Sequence, residues 1–132
     1  MVDMDEEAKV TFTRNIIAIL DEWKVQDGDQ LVLLGLPDDT RSRQIRSYRQ
    51  GSSVLPENDL RVNEYIDHLL GIDDALRTSN PCNSAAGGMW MNRVNNRFKD
   101  RTPLNAMLED GIIGIVAVRI HLDCAYDWHI SS

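Results

Sequence analysis

The chain has 132 residues, 42% of them hydrophobic and 27% charged, enough to close a core without disulfides or a structural metal. A net charge of −7 excludes indiscriminate nucleic-acid binding by the whole surface and leaves room for a local basic patch. No apolar run reaches the length of a membrane span, the start MVDMDEEAK lacks the pattern of a secretory leader, and Cys82 and Cys124 make no disulfide framework, so the expectation is a cytoplasmic protein with reduced thiols.

From about residue 9 to residue 25, Phe12, Ile16, Ile19, Leu20 and Trp23 recur at helical spacing and predict a first helix. Gln26-Asp27-Gly28 breaks it, and Asp29 reads as the N-cap of a short helix carrying Leu31, Leu33 and Leu34. Gly35-Leu36-Pro37-Asp38-Asp39 is turn chemistry; a third helix is expected over 40–50, with Gly51 as its C-cap. Pro56-Glu57-Asn58 opens a longer helix whose buried face holds Leu60, Val62, Ile66, Leu69 and Leu70. It runs to Leu76 or Arg77, before Asn80-Pro81 stops it. A small-residue stretch over 83–88 leads to an amphipathic segment with Met89, Trp90 and Val94, ended by Asn95-Asn96.

Thr102-Pro103 places an N-cap and a first-turn proline before a short helix that Gly111 ends. The last element, over about 112–126, has the β-branched composition of a buried strand. Its apolar residues nevertheless continue at helical spacing through Leu122, and no second strand exists to pair with it, so a helix is expected. The chain therefore reads as all-α, with roughly seven helices in an N-terminal region, 1–55, and a C-terminal region, 56–132.

Residues 40–51, TRSRQIRSYRQG, gather Arg41, Arg43, Arg46 and Arg49 in an otherwise acidic chain. A helix, a turn containing Gly35 and a polar second helix outline a helix-turn-helix. Ile45 and Tyr48 would face the core, leaving Arg41, Arg43, Gln44, Arg46, Ser47 and Arg49 for bases and phosphates. The same pattern also describes a charged helix that faces only solvent.

The C-terminal half carries more specific motifs. LLGIDDAL (69–76) is followed by Trp90, by Asn96-Arg97-Phe98, and by RTPLNAMLEDGIIGIVAVRIHLD (101–123). This ordered set resembles the Xre/MbcA/ParS antitoxin family, in which a helix-turn-helix precedes an LLGI…AL helix, a tryptophan, a GRSPL…ML…G segment and a V-R-x-x-L-D helix. Matching positions are Leu69, Leu70, Gly71, Ile72, Ala75, Leu76, Trp90, Asn96, Phe98, Arg101, Thr102, Pro103, Leu104, Met107, Leu108, Gly111, Val118, Arg119, Leu122 and Asp123. Where the family has glycine before the arginine, this chain has Asp100.

The resemblance implies an antitoxin with an N-terminal helix-turn-helix bundle packed on a small toxin-binding helical domain. Its implied partners are a RES-type toxin that consumes NAD or transfers ADP-ribose, operator DNA, and a second copy within a larger assembly. Arg101, Arg119, Asp123, Tyr126 and Trp128 are then the expected toxin contacts. Read from the residues alone, Arg101 and Arg119 can equally pair with Asp123 or Glu109 in an internal ion network, since Arg119 and Asp123 stand four apart on a helix. The tail Tyr126-Asp127-Trp128-His129 suits an interface anchor, because aromatic side chains bury large area at modest entropic cost.

An enzyme is not expected. His121, Asp123, Cys124, Asp127 and His129 match no standard zinc spacing, and Cys124 reads as a small core residue. Phosphate-cradling and nucleophile-elbow motifs are missing, so neither a cofactor nor a metal is anticipated. The alternative to an antitoxin is a stand-alone helix-turn-helix transcriptional regulator whose C-terminal half dimerises.

Overall fold

The computed structural model describes the backbone of residues 5–83 and 85–131, and the side chains of residues 5–83 and 85–124. These residues form seven α-helices and no strand, so the chain is all-α.

Helix α1 (Glu6–Glu22) begins earlier than its apolar periodicity suggests. Asp5 caps it, its carboxylate accepting from Ala8 N at 2.7 Å, and Glu6 and Glu7 favour the positive end of the helix dipole. Helix α2 (Asp27–Leu33) also starts upstream of the expected cap: Asp29 lies within its first turn, and Gln26 at the N-cap position makes no side-chain bond. Helix α3 (Arg43–Gln50) ends at Gly51, whose φ of 81° is the left-handed cap read from the sequence. Its start falls later than expected, leaving Arg41 outside the helix, because Pro37 to Thr40 is closed as a turn by the Thr40 N to Pro37 O bond.

Helix α4 (Leu60–Ser79) is capped by Asp59, whose carboxylate accepts from the backbone N–H groups of Arg61 and Val62. Its buried stripe is Val62, Tyr65, Ile66, Leu69, Ile72, Ala75 and Leu76. Leu60 and Leu70, expected on that stripe, are 84% and 38% exposed; helical periodicity turns both away from it. Helix α5 (Ala86–Met91) is followed by a single 3-10 turn, Asn96–Phe98, which the sequence reading missed. Asn95 caps that turn by accepting from Arg97 N, and its own N–H donates to Arg101 O at 3.0 Å. Helix α6 (Pro103–Asp110) has the expected Thr102 cap, with Asn105 N donating to Thr102 Oγ1 at 3.0 Å. Helix α7 (Ile112–Ser131) is helical despite its β-branched composition, because Ile115, Val118 and Leu122 fall on one buried line.

One hydrophobic cluster runs from Ile16 to Leu122 and spans both sequence regions. Helix α7 packs chiefly on α4 and α6, and α1 on α3. Trp23, 1% exposed, closes the first helix against the C-terminal part, where the Asn92 amide donates to Trp23 O at 2.8 Å. Gly35, at φ 69°, lies against the Tyr65 ring so closely that any Cβ there would collide with it. Among the described residues no helix is long and apolar enough to cross a membrane.

Candidate functional site

The C-terminal motifs meet where α7 crosses α4. Arg119 lies across Gly71: a Cβ at that position would stand 2.5 Å from the guanidinium carbon. From there Arg119 Nη1 donates to Asp67 Oδ2 at 3.2 Å and meets His68 Nδ1 at 3.1 Å. The pairing of Arg119 with Asp123 expected from their spacing is replaced by this cross-helix contact. Glycine opens a path over α4, while Asp123 is exposed and joins no ion pair among the described residues.

Arg101 forms a second tie. Its Nη2 pairs with Asp110 Oδ2 at 2.8 Å, its Nη1 reaches Glu109 Oε2 at 2.8 Å, and its Nε donates to Phe98 O at 2.9 Å. This fork fastens the 3-10 turn to the C-terminal end of α6, and the Arg101 bond holds the Asp110 carboxyl below its usual range. Glu109 is the partner foreseen from sequence; Asp110 is added to it. The backbone just before the fork is left-handed, with φ 59° at Lys99 and 61° at Asp100. Asp100 thus keeps a conformation that glycine adopts freely.

Above these ties, three rings from three elements come together. The His121 imidazole lies nearly parallel to Trp90, at 14° and 6.1 Å between centroids. Phe98 stands edge-on to both, at 5.4 Å from His121 and 6.2 Å from Trp90. Burial, with a smaller contribution from the Arg97 charge, pushes the His121 pKa below its ordinary value. The sequence reading passed over His121 except as a weak metal candidate; its fall one residue before the buried Leu122 gave no hint of the stack. Cys124, expected in the core, is exposed, because it lies on the opposite side of α7 from Ile115, Val118 and Leu122. Among the described residues no three His, Cys, Asp or Glu side chains gather as a metal site. The side chains of Tyr126 and Trp128 lie outside the described residues.

The basic segment divides. Arg41, Arg43 and Arg46 are exposed, and Gln44 and Ser47 are half-buried. Arg49 instead turns inward and is held by two carboxylates, Nε and Nη2 donating to Asp21 at 3.0 and 2.9 Å and Nη2 to Asp27 at 2.8 Å. Arg49, expected on the DNA-facing side, thus pairs with carboxylates from α1 and the start of α2 while its side chain stays 37% exposed. Burial raises the Asp21 pKa, but the bonds from Arg49 and from Gln30 outweigh it and leave the carboxyl below its usual range. Residues 34–42 separate α2 from α3, a longer connection than the roughly three- or four-residue turn of a helix-turn-helix.

The uncharacterized protein y4oB of Sinorhizobium fredii (strain NBRC 101917 / NGR234) is 31% identical to this chain over 105 residues, 80% of this chain and 76% of that protein. The chain belongs to the family of y4oB. No family model matches the chain, and no solved structure does. Met89, Val94 and Ile120 are exposed apolar residues.

Proposed function

We propose that the chain is an antitoxin of a type II toxin–antitoxin system, of the Xre/MbcA/ParS kind. In this reading its C-terminal part binds a cognate RES-type toxin, one that consumes NAD or transfers ADP-ribose, and occludes the toxin's active site. The observation that supports the reading is the crossing of Arg119 over Gly71, two motif residues far apart in sequence that lie against each other in the fold. Trp90 and Phe98 packing on His121, and Arg101 on α6, support it in the same way.

The chain acts in the cytoplasm by binding alone, without a cofactor. Arg101, Arg119, Asp123 and the tail residues Tyr126 and Trp128 face the toxin, and the acidic surface suits a basic rim around an NAD pocket. Arg41, Arg43, Gln44, Arg46 and Ser47 contact the operator of its own gene pair. The exposure of Arg41, Arg43 and Arg46 also favours a second reading, a stand-alone transcriptional regulator.

Co-expression with the product of the adjacent gene tests the first reading. A stable complex that loses NAD hydrolysis is expected, and deleting residues 124–132 should abolish neutralisation while circular dichroism stays helical. A folded, truncated chain that still neutralises would remove the tail from the mechanism. If no complex forms but the protein shifts its upstream DNA in a gel, and Arg43→Ala with Arg46→Ala abolishes that shift, the regulator reading stands.

A further inference from the structure

A pocket of about 280 Å³ lies where α1 meets α4 and α5. Trp23 and Leu76 give it an apolar wall, and Glu22, Asp73 and Arg77 stand at its rim. Trp23 is 1% exposed, yet its indole Nε1–H meets no acceptor among the described residues. Gly87 leaves that N–H uncovered: a Cβ there would stand 3.5 Å from Nε1 and 3.4 Å from a Leu76 methyl group. Buried donors are ordinarily paired, and one that lines a cavity points to a ligand that accepts there. At the rim, Arg77 donates through Nε to Asp73 and through Nη2 to Glu22, both at 2.8 Å. Two carboxylates against one guanidinium leave the rim negative. Asn80, also in the lining, donates its Nδ2 to Leu76 O at 3.3 Å, which leaves Oδ1 to accept.

We infer that this pocket binds a small uncharged carboxamide, its carbonyl oxygen accepting from Trp23 Nε1–H and its amide N–H groups donating to Asn80 Oδ1 and the rim carboxylates. An anion also offers an acceptor, but the negative rim and a net charge of −7 oppose it. A cation suits the rim and leaves the indole N–H unmet. An amide satisfies both ends at once. The volume falls near the lower bound of ligand pockets, about 300 Å³, and so suits a metabolite-sized molecule whose apolar body lies on Trp23 and Leu76. Such a ligand touches α1, α4 and α5 together, and therefore stabilises the joint between the N-terminal and C-terminal regions by mass action. The inference makes no use of the antitoxin reading, which draws on the α4–α7 crossing and the tail.

Titration of the full chain with benzamide, read from the indole N–H signals in heteronuclear NMR spectra, tests the assignment. The chain has three tryptophans; Trp90→Phe and Trp128→Phe identify two of the signals, and the third is Trp23. Benzamide at millimolar concentration should move the Trp23 signal and raise the melting temperature. Benzoate and benzylamine, close in shape but charged, should bind at least about tenfold more weakly. A methyl group at position 87 makes only ordinary contacts and favours the helix, so Gly87→Ala should keep its melting temperature. By covering Nε1 it should weaken benzamide about tenfold. Trp23→Phe keeps a ring and removes the donor, and should weaken benzamide about fivefold. Should that variant fail to fold, Gly87→Ala decides alone. If neither benzamide nor acetamide moves the Trp23 signal, the pocket holds only water and the proposal is overturned. Benzoate or benzylamine binding as tightly as benzamide overturns the carboxamide class. Equal affinity in the wild type and folded Gly87→Ala puts the ligand elsewhere and overturns the site.

Discussion

Gly71 and Asp100 occupy positions where a side chain is, respectively, missing to make room and present at a conformational cost. At Gly71 the neighbour that a Cβ would meet is the far end of Arg119, which can swing away. Alanine there gains about 1 kcal/mol of helix propensity and loses a surface ion pair worth about 0–1 kcal/mol. Gly71→Ala is therefore expected to leave the thermal midpoint nearly unchanged while lifting Arg119 off Asp67 and His68. If the α4–α7 crossing faces the toxin, affinity measured by calorimetry falls although stability does not; a collapse of the midpoint would show that the crossing holds the fold. Asp100→Gly is the converse. Its φ of 61° costs a non-glycine residue about 1–2 kcal/mol, less for aspartate than for most. After the greater freedom of glycine in the unfolded chain is allowed for, denaturant titration should show a gain of about 0.5 kcal/mol.

Between elements, the four arginines around α3 do different work, and of the three within the helix only Arg43 and Arg46 should be removable without touching the fold. Arg49 joins α3 to α1 and α2 through Asp21 and Asp27, and Asp21 in turn receives the amide of the fully buried Gln30. The paired groups are more than a third exposed, so solvent screening limits the direct loss in Arg49→Ala to about 1 kcal/mol in urea titrations. Arg43→Ala and Arg46→Ala should cost almost nothing in stability. Any operator binding would show the reverse order, with the two exposed arginines mattering more. The sequence could not separate these roles. Spacing identifies Ile45 and Tyr48 as the inward face, but the carboxylates that draw Arg49 in lie on other helices. The caps at Thr102 and Gly51 were legible because their chemistry is local, within a few residues. By contrast, Leu60 looked like core in a window of apolar residues, and only the Asp59 cap, which fixes where α4 begins, places it at an outward position.

At the scale of the whole molecule, the ring stack of Trp90, Phe98 and His121 ties α5, the 3-10 turn and α7 into one body, and it gives stability a dependence on pH. The His121 pKa is depressed below its ordinary 6.5, first by burial and then by Arg97, so the unfolded chain binds its proton more readily than the folded one. The contribution of the neutral ring is complete above the unfolded value of about 6.5 and is lost as pH falls from there through the lower folded value. Melting temperatures taken from about pH 7.5 down to about pH 5 should therefore decline, over a range in which unperturbed carboxylates remain ionised. His121→Gln should lower the plateau by removing a stacked ring, and should flatten the decline because no proton is taken up there on unfolding. The Asp21 carboxyl, held below its usual range by Arg49 and Gln30, gives up its contribution only at lower pH, as pH falls from about 3.8 through the folded value, so the two transitions separate on the pH axis. Equal slopes for the wild type and His121→Gln above pH 5 would mean that the imidazole is solvated, and that the three elements are held by Phe98, Leu122 and the Arg101 fork without help from the stack.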